Sequence, residues 1–391
     1  MSATLKALIQ ASVSEALKHE FYRLMWWGVV LLATMSILLG VIWHWQAALQ
    51  WLLQAGPFWA FICYQAGRRL PLNRSDLEAP LYKELGLANR LTLLRALLIA
   101  SVAGFLFQPW PGGTILSWLP GMLYFCAAIL DRVDGYVARR TKHGSILGSE
   151  LDTVSDALGL AVASLLAFNY GQVHWTYLLL GIAYYFFHGG ILLRKRRGQP
   201  VHPLPPSIHR RAWAGFQMGF LVVALWPVFY PPITVIAGFA FMLPALIGFF
   251  LDWLIVSGRV NREAEAANNL LQRLTVFSQT VLQPTLRVVV VVTLIMSLLQ
   301  SGLPPLRAVP WMNNVIIGGF ILTSSMVLLG IAGRYFSLLL IGLLGWYYIT
   351  NPLLAVDYVL FCSLVWLLLV GTGRFSLWQE DDYWINRYDG T

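Results

Sequence analysis

Charge is what this chain lacks. Of its 391 residues only 12% are Asp, Glu, Lys or Arg, whereas a soluble globular domain carries roughly a quarter. Half that share, combined with long apolar runs, excludes an ordinary water-soluble fold and places most of the chain in lipid. Cysteine is scarce too: Cys63, Cys126 and Cys362 lie far apart inside apolar runs. That spacing excludes a disulfide framework or a thiolate metal site and leaves them as small core residues. A short apolar leader is also missing from the first 22 residues, which are polar and periodic, so no cleaved signal is expected there.

Hydrophobic residues supply 58% of the chain, including 17 Trp. A spanning helix needs about 20 mainly apolar residues. Such runs fall near 25–45, 47–66, 90–108, 114–137, 148–170, 174–193, 212–229, 233–256, 284–300, 313–331, 336–354 and 357–372. The pattern predicts an all-α polytopic membrane protein with about twelve transmembrane helices. Short Pro/Gly turns, such as Pro109 to Gly113 and Pro227 to Pro232, separate several of them.

The formal net charge of +9 would suggest nucleic acid on a soluble protein. Here the basic residues sit in short loops between apolar runs and alternate by side, so they read as topology signals, and no nucleic-acid partner is expected. Arg68, Arg69, Arg74, Lys83 and Arg90 fill one loop, Arg139, Arg140 and Lys142 the next on that side. Arg194, Lys195, Arg196, Arg197, Arg210 and Arg211 follow, then Arg259, Arg262 and Arg273. The loops around 46, 110, 172 and 230 carry no Lys or Arg. The basic loops and both termini are therefore expected on the cytoplasmic side of an inner or plasma membrane, with Arg307 the one basic residue outside. Residues 1–22 carry a helical stripe of Leu5, Leu8, Ile9, Val13 and Leu17, suited to the membrane interface.

The chemistry concentrates in residues 131–156. Asp131, Asp134 and Ala138 share one face of a helix; Asp152 and Asp156, four apart, share one face of the next. A polar turn from Arg140 to Ser145 would pair the two helices and bring the carboxylates together. Ionisable residues at membrane depth are expensive and usually functional. Four close carboxylates repel one another unless cations neutralise them. Oxygen-only donors favour Mg2+, Mn2+ or Ca2+ over zinc, and a metal pair about 3.5–4 Å apart is a recurrent device at phosphorus. Gly135 and Ala138 leave room for a ligand to approach the helix backbone, Gly148 permits close helix approach, and Arg139 offers a fork for phosphate oxygens.

Asp131, Asp134, Gly135, Ala138, Arg139, Gly148, Asp152 and Asp156, in this spacing, resemble the signature of the CDP-alcohol phosphotransferases. The resemblance implies a six-helix core, supplied here by the spans from about 90 to 256, with an N-terminal segment 1–67 bearing two extra spans. The core would extend over 68–258, followed by a polar linker 259–283 and a four-helix membrane domain 284–391. It also implies metal ligation by Asp131, Asp134, Asp152 and Asp156, using two Mg2+ or Mn2+ ions, with Asp156 as the base that deprotonates the acceptor. The donor would be CDP-linked, CDP-diacylglycerol by expectation, and CMP would leave as the substituted phosphate group passes to an acceptor alcohol in phospholipid biosynthesis. Donor contacts map onto Asn89, Thr92, Gly135, Ala138, Arg139 and Ser145, with Arg95 one turn beyond Thr92; Asn89 and Thr92 serve equally well as capping residues of a helix start. Arg194, Arg197 and Arg210 would bind a phosphorylated acceptor, or equally set topology and meet anionic lipid. Many family relatives pair as homodimers through core helices, so the resemblance admits a homodimer without fixing the oligomeric state.

The C-terminal stretches Leu329 to Tyr335 and Gly371 to Leu377 resemble DoxX-type membrane domains through small-residue motifs. A second functional class remains open at this level: a transporter or cation-binding membrane protein using the aspartates as an ion site. It would call for inverted repeats and helices broken near the midplane, and no such repeat is evident.

Overall fold

The computed structural model describes residues 13–111, 115–204, 208–259, 273, 276–301, 310–348, 351–378 and 380–381, without the side chains of 208–212 and 310–313. Residues 1–12, most of the linker (260–272) and Arg307 lie outside the described residues. The described chain is all-helical, with one isolated bridge between Ile331 and Trp378.

The α-helices are α1 Glu15–Ile42, α2 Trp45–Arg69, α3 Gly86–Ala103, α4 Leu119–Thr141, α5 Ile146–Asn169 and α6 Leu178–Arg196. They continue with α7 Ile208–Ala224, α8 Ile233–Val256, α9 Gln283–Ser301, α10 Pro310–Leu329, α11 Gly333–Tyr347 and α12 Ala355–Val370. Each of the twelve apolar runs carries one of these helices. Seven helical segments, those containing α1, α3, α4, α5, α6, α8 and α9, are long and apolar enough to cross a membrane. The protein is therefore an integral, multi-pass membrane protein. Helix α1 runs unbroken from Glu15 through position 22 into the first apolar run, so residues 15–22 share one helix with that span.

The chain forms two compact units, Met1–Tyr184 with Met218–Tyr230, and Tyr185–Gln217 with Pro231–Thr391. In the first, α3 is the axis: 67% of its apolar window is buried, more than in any of the other six candidate spans, and α2, α4 and α5 all pack on it. Helices α1 and α2 lie close because Gly28 presents no side chain to the Trp59 ring, whose Nε1 donates to the Met25 carbonyl at 3.2 Å. Small residues at such crossings let helices approach where lipid offers no hydrophobic drive. Helix α4 ends when Lys142 turns left-handed (φ 52°), and Ser145 starts α5 by accepting from the Gly148 amide at 3.0 Å.

In the second unit α9 packs on α10 and α12, α11 on α10 and α12, and α8 on α12. Its core holds Val290, Phe320, Leu340, Tyr347, Phe361 and Leu364, all at most 2% exposed.

Candidate active site

Three side chains spaced three apart on α3, Asn89, Thr92 and Arg95, face α4 and α5 and are all buried. Arg95, 1% exposed, is the hub. Its Nη1 lies 2.7 Å from Asp131 Oδ1, 2.6 Å from Asp152 Oδ1 and 3.5 Å from Asp134 Oδ2, and its Nη2 donates to Asp156. The four aspartates of α4 and α5 do meet around one point, but the meeting place is α3: both helices pack on it far more than on each other, so the turn alone does not make them a packed pair.

The four are not equivalent. Asp131, Asp152 and Asp156 each bring a carboxylate oxygen within 4.8 Å of the others and are only half-buried. Asp134 is 6% exposed and accepts from Thr92 Oγ1 at 2.9 Å. One guanidinium cannot neutralise four carboxylates, and a donor set made only of oxygens suits a hard divalent cation. Asp131, Asp152 and Asp156 could hold such an ion; the Arg95 guanidinium marks where positive charge is required.

Deeper in the bilayer-spanning part the site closes. Arg95, Tyr124, Ser155 and Asp156 line a crevice of only about 10 Å³, room for one water at most. A nucleotide does not fit this crevice; the other end of the cluster is bordered by the 142–145 turn.

That end is braced by the segment before α3. Asn89 Nδ2 lies 2.8 Å from the Leu85 carbonyl, 2.9 Å from Ser145 Oγ and 3.0 Å from Asn73 Oδ1. Asn73, fully buried, also donates to the Glu84 carbonyl at 2.8 Å. The Ile146 amide donates to the Arg74 carbonyl at 2.9 Å, and the Tyr82 ring stacks on His143 with centroids 3.9 Å apart. From α1, Glu20 accepts from the Leu85 amide at 3.0 Å and from Arg90 Nε at 2.8 Å. Gly148 is needed for this packing, because a Cβ there would strike Asn89 Oδ1.

Among the expected donor contacts, Asn89, Thr92 and Ser145 are joined to the cluster or to its supports. Neither Asn89 nor Thr92 caps α3, whose N-cap is Leu85 without a side-chain bond. Gly135 and Ala138 are half-buried on α4, and the exposed Arg139 folds back so that its Nη1 would lie 3.5 Å from a Cβ at Gly135. The expected acceptor residues belong to the second unit. Arg194 donates to the carbonyls of Pro200 and Ser257 at 2.9 and 3.1 Å, and Arg197 is exposed. The Arg210 side chain lies outside the described residues. Sequence reasoning placed Arg95 only as a neighbour of Thr92. A cation in the middle of an apolar helix was the signal that could have marked it as the partner of the aspartates.

Residues 85–251 match the family described as CDP-alcohol phosphatidyltransferase. The chain is 34% identical over 89 residues to a CDP-diacylglycerol–glycerol-3-phosphate 3-phosphatidyltransferase of Salmonella choleraesuis (strain SC-B67), covering 22% of this chain and 46% of that one. It is 31% identical over 88 residues to a protein of the same description from Blochmanniella floridana, covering 22% of this chain and 43% of that one. The chain thus spans about half the length of these curated relatives. No solved structure matches it. The family match favours a transferase over an ion carrier.

Proposed function

We propose, from the match of residues 85–251 to the CDP-alcohol phosphatidyltransferase family, that the chain moves a phosphatidyl group from CDP-diacylglycerol to the hydroxyl of a small phosphorylated alcohol, of the glycerol 3-phosphate kind. CMP is the other product, and the reaction serves phospholipid synthesis. The donor and acceptor classes follow the description of the curated relatives. The observation that carries the reading is the convergence of Asp131, Asp134, Asp152 and Asp156 from two helices on one point.

In this reading Asp156 accepts the proton of the acceptor hydroxyl. The freed oxygen bonds to the β-phosphorus of the donor, the bond from that phosphorus to the bridging oxygen breaks, and the electron pair leaves with CMP. Asp131, Asp134, Asp152 and Asp156 would hold divalent metal, Mg2+ or Mn2+, which would supply charge neutralisation for the diphosphate. Thr92 fixes Asp134 by its hydrogen bond. Asn89, Ser145, Gly135, Ala138 and Arg139 form the nucleotide side of the site, with Arg139 directed at phosphate oxygens. Arg194, Arg197 and Arg210 attract the acceptor phosphate, and the helix ends bearing the 142–145 turn face the cytoplasm, as the basic loops require.

The experiment is CMP release by the purified chain with CDP-diacylglycerol, glycerol 3-phosphate and Mg2+ or Mn2+. Asp156→Asn should lower turnover by at least about 100-fold, a loss beyond what its lost bond to Arg95 explains if the variant is assayed at a temperature where it is still folded. Undiminished turnover in that variant would remove the base from the mechanism. A CDP-donor panel yielding no CMP from the wild type would end the proposal.

A further inference from the structure

The two small-residue motifs of the C-terminal unit are distant in sequence but form one knot. The Leu377 amide donates to the Leu329 carbonyl at 3.1 Å and the Trp378 amide to the Gly330 carbonyl at 3.3 Å. Gly333 lies against Thr372, so that a Cβ there would strike its methyl group. Gly330, Gly371 and Gly373 all sit at positive φ (66°, 86° and 83°), conformations open to glycine.

Inside the knot is Arg287 of α9, 4% exposed. Its Nη1 and Nη2 both reach a single acceptor, the Phe375 carbonyl, each at 3.3 Å. Its Nε is buried without a hydrogen-bond partner. No carboxylate pairs with it among the described residues. Thr372 Oγ1, which can donate, is buried and unbonded as well. A guanidinium withdrawn from water without an anion is costly, and its planar donor fork fits a phosphate.

The cover of the knot carries a second signature. Phe375, Leu377 and Trp378 are 67%, 71% and 44% exposed, and Arg374 between them and the glycines is exposed too. Large apolar side chains beside an exposed arginine, at the end of a bundle of membrane helices, match the boundary between headgroups and acyl chains.

We propose that Arg287 and the 371–378 loop form a phosphate-binding site for an anionic phospholipid of the surrounding bilayer. Arg287 is the buried cation, Thr372 a second donor, and Arg374 the cation at the mouth. Phe375, Leu377 and Trp378 lie along the acyl chains, and Gly371 and Gly373 let the loop lift to admit the headgroup. The site lies wholly on residues of the second unit and its binding does not depend on the transfer reaction.

The test is thermal unfolding of the full chain in zwitterionic detergent, titrated with phosphatidylglycerol, with phosphatidylcholine, or with inorganic phosphate. Phosphatidylglycerol should raise the midpoint by at least about 2 °C, phosphatidylcholine should not, and Arg287→Gln should abolish the rise. An equal rise in wild type and Arg287→Gln, or none in the wild type, overturns the site. An equal response to inorganic phosphate overturns the lipid assignment. If Arg287→Gln fails to fold, the surface variant Arg374→Gln decides: a diminished rise supports the site and an undiminished one overturns it.

Discussion

Arg95 Nη1 lies 2.6 Å from Asp152 Oδ1, joining the middle of α3 to the acidic face of α5 across 57 residues of sequence. The same nitrogen serves Asp131 at 2.7 Å, so a single buried cation restrains carboxylates from both α4 and α5. Removing one partner of a buried ionic cluster costs about 3–5 kcal/mol, because the remaining charges stay buried and unpaired. Arg95→Met should therefore unfold at a much lower temperature in EDTA, and Mg2+ or Mn2+ should restore more of its stability than of the wild type's. Equal losses at every metal concentration would show that Arg95 and divalent cations do not share the task of neutralising the aspartates.

Metal dependence should also appear in the assay itself. Chelation should abolish CMP release, and readdition of Mg2+ or Mn2+ should restore it, since the donor set is oxygen alone. Turnover that survives exhaustive chelation would contradict the reading of the cluster.

Thr92→Val keeps the shape of the side chain but removes the 2.9 Å hydrogen bond to Asp134. Leaving a buried acceptor short of a donor costs about 1–3 kcal/mol. The variant should fold, bind metal more weakly and need a higher Mg2+ concentration for half-maximal CMP release. An unchanged metal titration would make Thr92 merely structural.

Gly148→Ala tests the bracing of the turn. The added Cβ meets Asn89 Oδ1, and Asn89 is held by Asn73, Leu85 and Ser145, so it has little freedom to yield. Overpacking of this sort costs about 1–3 kcal/mol. Gly189→Ala, on α6 with open space around it, is the matched control and should be neutral. Similar melting curves for the two variants would mean that α3 and α5 can separate without penalty.

Much of this was legible in the sequence, and for a physical reason. Lipid demands apolar runs of a set length, so each run from 25–45 to 357–372 became a helix. The spacing of Asp131 and Asp134, and of Asp152 and Asp156, fixed their shared faces because helical periodicity is local. What was not legible depends on the path of the chain outside the helices. Asn73, Arg74 and Glu20 reach the site through a loop and a preceding helix, and no periodicity announces such contacts. Arg95 was visible as a charge within an apolar helix, but its four partners lie 36 to 61 residues away, beyond any local pattern. Arg287 was hidden in the same way, since its covering loop comes 88 residues later.

The buried Asn73 and Glu20 have a practical corollary for anyone trimming the polypeptide. Both precede residue 85, where the recognised family segment begins, yet they hold the start of α3 through Asn89, Leu85 and Arg90. A fragment cut to the family boundaries would discard these clamps and expose the flank of α3 that α2 covers. A fragment meant to test the proposed activity should therefore reach back at least to α1, because the leading pair of helices is a foundation for α3 and not an ornament.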